Sequence, residues 1–316
     1  MTLQQLEYIV AVDEYRHFVK AAERCFVTQP TLSMMIHKLE DEWGVKIFDR
    51  TKQPVVPTKE GEELIKLAKA AILKTRFIKE YIDGLKGELK GDLRIGIIPT
   101  LAPYLVPLFL GEFVKNAPLL KISIKEMTTP HIIAALDTGD IDIGLLATPT
   151  NESGLTEYPI FYEEFYAYAS SDEKLPKKKY LLPKEIKVDR LWLLEEGHCF
   201  RNQVFNLCQL KKQEATSFNY EAGSIETLIN LVDHNKGITL IPKLAEMNLK
   251  SSQRKNVREF ANPKPVREIS IVVKNNFIRK KIIDHLKNAI SNSLPVDMLN
   301  HKSKKITSLE KGNEEN

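Results

Sequence analysis

The chain has 316 residues, of which 43% are hydrophobic and 28% are charged. This composition is typical of a globular protein with two or three domains. The net charge of +4 permits nucleic-acid binding without requiring it. No apolar run approaches the about 18 residues of a membrane span, and the first ten residues do not resemble a secretory signal. We therefore expect a cytoplasmic protein without a membrane partner.

The first 43 residues carry the pattern of three helices. Thr2 and Gln5 have capping-box spacing at the start of the first helix. A short second helix is predicted over residues 20–25, and a third over residues 29–43 with Thr28 as its N-cap. Two short helices followed by a longer one with a polar outer face are typical of a helix-turn-helix, whose later helix enters the DNA major groove.

Two short strands are predicted next, at residues 45–48 and 55–56, around a loop that contains Arg50 and Lys52. This hairpin is typical of a wing, and its two basic side chains can contact phosphates. The alternative is a three-helix bundle with ordinary solvated faces, which charge alone does not exclude.

A long helix is predicted to follow the wing and to end before a hinge marked by Gly84, Gly87 and Gly91. Its apolar residues recur in steps of three and four, which indicates a coiled-coil-like seam for a second copy of the chain. The alternative is packing against the chain's own body. The seam positions are Leu64, Leu67, Ala71, Ile78, Ile82 and Leu85.

Strands alternate with helices in the remainder, which predicts an α/β effector unit with a largely parallel sheet. The final stretch is polar and without period, which predicts a disordered tail. The predicted strands are residues 92–98, 121–125, 141–146, 165–169, 191–194, 239–241 and 269–273, and the helices are 101–116, 130–137, 200–212 and 225–235. The predicted domains are a DNA-binding unit (1–58), a linker helix (59–90), an effector (lobe I 91–164 and 267–291, lobe II 165–266) and the tail (292–316).

Cys199 and Cys208 lie nine positions apart in a predicted helix. At about 1.5 Å per residue, their Cα atoms would be roughly 13 Å apart, whereas a disulfide needs about 7 Å or less. Joining them would therefore require the helix to unwind. His198, Arg201 and the helix start could favour the reactive thiolate at Cys199. The alternative is that both cysteines are inert, as most buried free cysteines are, and Cys25 is expected to be structural.

The motifs of the first 51 residues resemble the LysR-type transcriptional regulators. The matching runs are KAAER (20–24), VTQPTLS (27–33), IHKLE (36–40), GV (44–45) and FDRT (48–51). The resemblance implies dimeric binding to promoter DNA. Val19 and the pair Met34-Met35 depart from the residues usual at their positions. The expected DNA-facing residues are Thr28, Gln29, Pro30, Thr31, Ser33, Met34, His37, Lys38, Arg50 and Lys52.

The effector resembles the two-lobed, periplasmic-binding-protein-like domain of the same family. The chain would cross between the lobes near residues 162–167 and return near 265–267. Ligands of open α/β sheets bind at the carboxyl ends of strands. Thr100, Thr128, Thr129 and the residues after Leu194 should therefore converge on a cleft.

Further motifs resemble the peroxide-sensing members of the family: IPT (98–100), GHCFR (197–201), Cys208 and GSIETL (223–228). The resemblance implies that Cys199 reacts with hydrogen peroxide and that Cys208 resolves the product to a disulfide. The pocket residues it implies are Thr100, Thr129, His198, Arg201 and Arg267, with Arg258 as the alternative to Arg267.

The implied function is a transcriptional activator, not an enzyme, that needs no cofactor or metal. Its implied partners are promoter DNA, RNA polymerase, further copies in a homodimer or homotetramer, and a reductant of the thioredoxin or glutaredoxin class. One alternative is a LysR-type regulator that reads a metabolite and has incidental cysteines. Others are a thiol peroxidase and a solute-binding protein. The absence of an export signal argues against the solute-binding protein.

Overall fold

The computed structural model describes residues 1–85, 89–173, 180–186, 190–208, 222–299 and 304–307. Contacts divide the chain into two compact units, Met1–Glu88 and Leu89–Asn316, and each unit has a hydrophobic core of its own. None of the described helices combines the length and the apolar character that crossing a membrane demands.

The first unit is a winged helix-turn-helix followed by a long helix. The Thr2 capping box and the Thr28 N-cap are both present, which confirms these two predictions. The third helix ends at Gly44, whose φ of +68° suits glycine. The elements are α1 (Leu3–Tyr15), α2 (Phe18–Arg24), α3 (Gln29–Trp43), β1 (Phe48–Asp49), β2 (Val56–Pro57) and α4 (Lys59–Leu85).

The long helix α4 has apolar residues on two faces. Ile65 and Ala68 are buried in the core of the first unit. Leu67, Ile78 and Ile82 are at least half exposed, although they belong to the predicted seam. An isolated chain therefore leaves part of that seam in water, where covering it with apolar surface would be favourable. The side chain of Leu85 and the hinge residue Gly87 lie outside the described residues.

The second unit is an α/β structure built on a mixed sheet. Buried aliphatic and aromatic side chains from both of its halves form one continuous core. Its elements are β3 (Lys90–Ile97), α5 (Ala102–Asn116), β4 (Leu119–Glu126), α6 (Thr129–Thr138), β5 (Ile143–Thr148), β6 (Leu155–Ala169), β7 (Tyr180–Leu181), α7 (Cys199–Cys208), α8 (Ile225–His234), β8 (Ile238–Pro242), α9 (Lys243–Met247), α10 (Ser251–Arg254), β9 (Val257–Phe260), β10 (Lys264–Lys274), α11 (Lys280–Asn292) and β11 (Lys304–Ile306).

The strand directions show that the prediction of a largely parallel sheet is wrong. Strand β3 is parallel to β4 and β5, but β10 is antiparallel to both β5 and β6. The reason is that β6 and β10 are long strands that run antiparallel to each other, and β10 is also antiparallel to β5. Strand β6 pairs with β10 as far as Glu164 and with β8 from Phe165 onward, so its pairing partner changes between these residues.

Residues 191–194 do not form a strand, so that prediction is also wrong. Leu191 makes an isolated bridge to Ile238, and Leu194 makes another to Ala222. Because the two bridges go to different neighbours, no continuous ladder of hydrogen bonds can form. The apolar run reflects burial of Leu191 and Leu194, three positions apart, and not the two-residue period of a strand.

The predicted disordered tail is wrong for the described residues 292–299 and 304–307. Helix α11 continues to Asn292, and a 3-10 turn at Val296–Met298 brings Met298 into the core. Strand β11 then pairs in parallel with the start of β10. Two apolar side chains, Leu294 and Met298, and backbone pairing order a segment whose average composition is polar. Residues 300–303 and 308–316 lie outside the described residues.

Candidate functional site

The candidate site of the second unit begins at the carboxyl ends of the parallel strands β3 and β4. Thr100 lies just after β3 and is buried, and Thr129 is the first residue of α6, after β4. The loop before Cys199 reaches the same place, since a Cβ on Gly197 would lie 3.9 Å from the methyl group of Thr128. The φ of Gly197 is +95°, which favours glycine at this close approach.

Cys199 and Cys208 are the first and last residues of α7, and both thiols are free. Both side chains are buried. An intact helix of this length separates their Cα atoms by roughly 13 Å, about twice the span of a disulfide. Burial raises the pKa of the Cys208 thiol to about 12, so this thiol stays protonated while α7 is folded.

A buried arginine joins Thr100, after β3, to Glu163 of β6. The guanidinium of Arg267 donates from Nε to Glu163 Oε2 at 2.8 Å, and its Nη2 lies 2.7 Å from the same oxygen in an ion pair. It also donates from Nη1 to the Thr100 hydroxyl at 2.8 Å. Glu163 accepts a further hydrogen bond from the Leu244 N–H at 2.8 Å. A buried charge pair requires this number of partners, because each ion loses several kcal/mol of hydration.

Phe200 connects this arginine to the first turn of α7. Its ring centroid lies 5.2 Å from the Arg267 guanidinium carbon, within the range of a cation–π contact. The same ring also stacks on Phe165, with 5.3 Å between the ring centroids. The residue next to Cys199 is therefore held by the same group that binds Thr100 and Glu163.

Two further predicted pocket residues are His198, which precedes Cys199 in the chain, and Thr129, which follows the Thr128 approached by the Gly197 loop. His198 is buried, and its Nε2 lies 3.5 Å from a Glu195 carboxylate oxygen, which is a long contact. The Thr129 hydroxyl is buried and has no hydrogen-bond partner within the described parts of the chain. A buried polar atom without a partner is uncommon in native proteins and suits a small polar ligand or a water molecule.

The two remaining arginines face other groups. Arg201 donates to the Leu194 carbonyl at 2.6 Å, and its guanidinium carbon lies 5.5 Å from the Phe205 ring centroid. Arg258 is exposed and donates to the carbonyls of Lys255 and Val257. Of the two arginines considered for the pocket, Arg267 is thus the one bonded to Thr100.

Sequence reasoning missed Glu163, although a signal was present. Phe161, Glu163 and Phe165 alternate along β6 and are all buried, so the carboxylate faces the same side as its apolar neighbours. An acidic residue on the buried face of a strand predicts a cationic partner. Tyr104 on α5 was missed as well, and burial together with the Glu226 carboxylate raises the pKa of its hydroxyl.

The candidate DNA face of the first unit is the outer side of α3. Thr28 caps this helix through its hydroxyl, and Ser33 accepts a hydrogen bond from Arg50. Lys52 is exposed on the wing, 3.8 Å from Asp49. An open groove of about 620 Å³ lies along the helix. It is lined by Gln29, Pro30, Ser33, Met34, His37, Lys38 and Asp41.

A buried carboxylate, also missed in the sequence, fixes the wing to α3. Glu40 accepts from the N–H groups of Ile47 and Phe48, at 2.8 and 3.3 Å, and from Arg50 at 3.2 Å. The Arg50 guanidinium lies 5.0 Å from the Phe18 ring centroid. Arg50 is therefore held at the groove edge from three sides, and its side chain remains 36% exposed.

A winged helix-turn-helix joined to a two-lobed α/β unit defines a bacterial transcriptional regulator with an attached sensor. Residues 3–62 match the bacterial regulatory helix-turn-helix proteins of the lysR family, and residues 86–293 match the LysR substrate binding domain. The chain belongs to the LysR family of DNA-binding transcriptional regulators.

Among known proteins, it is similar to the "hydrogen peroxide-inducible genes activator" of Haemophilus influenzae, with 33% identity over 93% of this chain and 97% of that protein. A full-length OxyR variant from Pseudomonas aeruginosa has a TM-score of 0.76 and 34% identity, over 92% of this chain and 98% of that one. An OxyR mutant from Corynebacterium glutamicum, solved with H2O2 bound, has a TM-score of 0.60 and 28% identity, over 92% of each chain.

Proposed function

We propose that this regulator senses hydrogen peroxide through a thiol–disulfide switch between Cys199 and Cys208. The observation that carries the proposal is the position of two free, buried thiols at opposite ends of one intact helix. Because they cannot join while α7 is folded, their oxidation must change the conformation of the effector unit. The names of the relatives, which refer to hydrogen peroxide, support the same signal.

The first chemical step is oxidation of Cys199. Its thiolate sulfur attacks one peroxide oxygen, so that an S–O bond forms and the O–O bond breaks. Hydroxide leaves and takes up a proton to become water, and Cys199 becomes a sulfenic acid. The groups proposed to bind the peroxide are the side chain of His198 and the Thr129 hydroxyl, which has no hydrogen-bond partner among the described residues.

The second step is closure of the disulfide. The Cys208 sulfur attacks the Cys199 sulfur, the S–S bond forms, and the S–O bond breaks with loss of water. Burial raises the pKa of the Cys208 thiol to about 12, and a protonated thiol is a poor nucleophile. Unwinding of α7 therefore does two things: it brings the sulfurs together and it exposes Cys208 to water, where it can lose its proton.

The remaining pocket residues are proposed to hold the first turn of α7. Arg267 contacts Phe200 and Thr100, so it positions the residue next to Cys199. Arg201 donates to the Leu194 carbonyl, which fixes the loop that enters the helix. Because these contacts hold the chain before and after Cys199, we assign both arginines to positioning.

Promoter DNA is proposed to bind along the groove of α3, with Arg50 and Lys52 at the phosphates. The exposed seam of α4 is proposed to pair with a second copy, and pairs of dimers would form the homotetramer. RNA polymerase is the proposed target of activation. A cytoplasmic dithiol of the thioredoxin or glutaredoxin class is proposed to reduce the disulfide by thiol exchange.

Peptide mapping under non-reducing conditions tests the switch. We expect the full-length protein to yield a peptide linking Cys199 and Cys208, lighter by two hydrogen atoms, after mild peroxide treatment. Cys199→Ser should lose this peptide and also lose peroxide-dependent transcription, while its binding to promoter DNA remains measurable. The matched control is Cys25→Ser, which removes a thiol of the first unit and should behave as the unmodified chain does.

Two outcomes would contradict the proposal. Unmodified thiols after peroxide treatment would favour a regulator that reads a metabolite. Many turnovers of peroxide per chain, in the presence of a reductant, would favour a thiol peroxidase.

A further inference from the structure

The C-terminal segment 304–307 occupies a defined place in the sheet of the second unit. Strand β11 pairs in parallel with the start of β10, with Ile306 opposite Val266, and the Thr307 N–H donates to the Val266 carbonyl at 2.8 Å. Val266 pairs with β6 on its other side, so β11 lies on the side that β5 occupies further along β10. The segment thus extends the sheet next to Arg267.

Thr307 also contacts the helix that carries the two cysteines. Gln203 lies in the middle of α7 and is fully buried. Its Nε2 donates to the Thr307 carbonyl at 3.4 Å. Its Oε1 is buried and, within the described part of the chain, has no hydrogen-bond partner. One buried residue, Thr307, therefore bonds to the sheet through its N–H and to α7 through its carbonyl.

We propose that residues 304–307 form a strap that stabilises the helical form of α7 by linking it to β10, and that the strap is released when α7 unwinds. Gln203 lies between Cys199 and Cys208, so closing the disulfide must displace it from Thr307. The release step rests on the proposed function above, whereas stabilisation of the helical form does not.

The coupling between the strap and the switch is reciprocal by thermodynamic linkage. If unwinding of α7 weakens the strap, then removing the strap favours unwinding by the same factor. A net hydrogen bond contributes enough to change an equilibrium by about 2- to 10-fold. We therefore expect a chain without the strap to unwind α7, and to form its disulfide, more readily by about this factor.

Hydrogen exchange of the thiol form tests stabilisation of the helix. One variant ends at residue 303 and lacks the strap and everything after it. The matched control ends at residue 307, so it keeps the strap and lacks only residues 308–316. In the first variant the amides of residues 199–208 should exchange about 2- to 10-fold faster than in the control. Equal exchange rates in the two truncated chains would overturn the proposal.

A substitution in the complete chain provides an independent test. Thr307→Pro removes the N–H that bonds to Val266, whereas Thr307→Ala keeps the backbone and serves as its matched control. Thr307→Pro should accelerate α7 exchange as the truncation after residue 303 does, and Thr307→Ala should not. If both substitutions leave α7 exchange unchanged, the strap does not exist.

Peroxide treatment tests the release step. The disulfide should form about 2- to 10-fold faster in the chain that ends at residue 303 than in the chain that ends at residue 307. Equal rates of disulfide formation would overturn release. If the unmodified chain forms no disulfide, the proposed switch fails, but α7 exchange in the thiol form still decides whether the strap stabilises the helix.

Discussion

Each unit contains a glutamate, an arginine, a hydroxyl group and a phenylalanine ring in the same kind of cluster. In the first unit Arg50 bonds to Glu40 and Ser33 and lies over Phe18. In the second unit Arg267 bonds to Glu163 and Thr100 and lies over Phe200. The side chains of Arg267 and of both glutamates are fully buried, whereas that of Arg50 is 36% exposed.

The difference in exposure separates two uses of one arrangement. Arg50 is oriented by its partners and still meets water, so it can exchange water for a DNA phosphate. The Arg267 side chain is fully buried. It bonds to Thr100 and contacts Phe200 in the first turn of α7. Exposure therefore distinguishes an arginine that can still bind a partner from one whose contacts are all within the protein core.

The largest expected effect is on the free energy of unfolding, and it should differ between the two arginines. Arg267→Met should lower the free energy of unfolding of the second unit by about 3–5 kcal/mol, because Glu163 is left buried without its counter-charge. Arg50→Met should lower that of the first unit by about 1 kcal/mol or less. The reason is that Glu40 retains the Ile47 and Phe48 N–H groups and has Lys46 at 3.7 Å.

Each unit can be measured separately, because the chain has two tryptophans and each unit contains one. In a chain that carries Trp43→Phe, the fluorescence of Trp192 during a urea titration follows unfolding of the second unit. In a chain that carries Trp192→Phe, the fluorescence of Trp43 follows unfolding of the first unit. Equal losses of stability in the two units would remove the distinction based on exposure.

A smaller effect is expected on DNA binding. Arg50→Met should weaken binding to promoter DNA and reduce the slope of log K against log salt concentration by about 0.9, the value for one phosphate contact. Ser33→Ala removes a partner of Arg50 without removing charge, so it is the matched control and should keep the slope. Fluorescence anisotropy over a series of salt concentrations measures both. An unchanged slope in Arg50→Met would mean that Arg50 stabilises the wing and does not contact a phosphate.

Local signals in the sequence were sufficient to predict α3 and the helix that carries the two cysteines. Thr28, Pro30 and Gly44 mark the ends of α3, and the observed bounds agree with the predicted 29–43. The helix with the two cysteines was predicted from residue 200, and it begins one residue earlier. Caps and helical periodicity depend on neighbours within four residues, which is why single-sequence reasoning finds them.

Contacts between distant parts of the chain were not predictable in the same way. Arg267 and Glu163 are separated by 104 residues, and Gln203 and Thr307 by the same number. The antiparallel direction of β10 and the pairing of β11 depend on how the lobes are connected, which no local pattern encodes. The run at residues 191–194 shows the converse error, because local burial was mistaken for a strand.

The central claim is that folded α7 and the Cys199–Cys208 disulfide exclude each other. Peptide-resolved hydrogen exchange of residues 199–208, before and after peroxide, tests it most directly, with peroxide-treated Cys199→Ser as the control. We predict that these amides are protected in the thiol form and in the control, and that they lose protection when the disulfide forms. A disulfide that forms while the amides remain protected would contradict the claim.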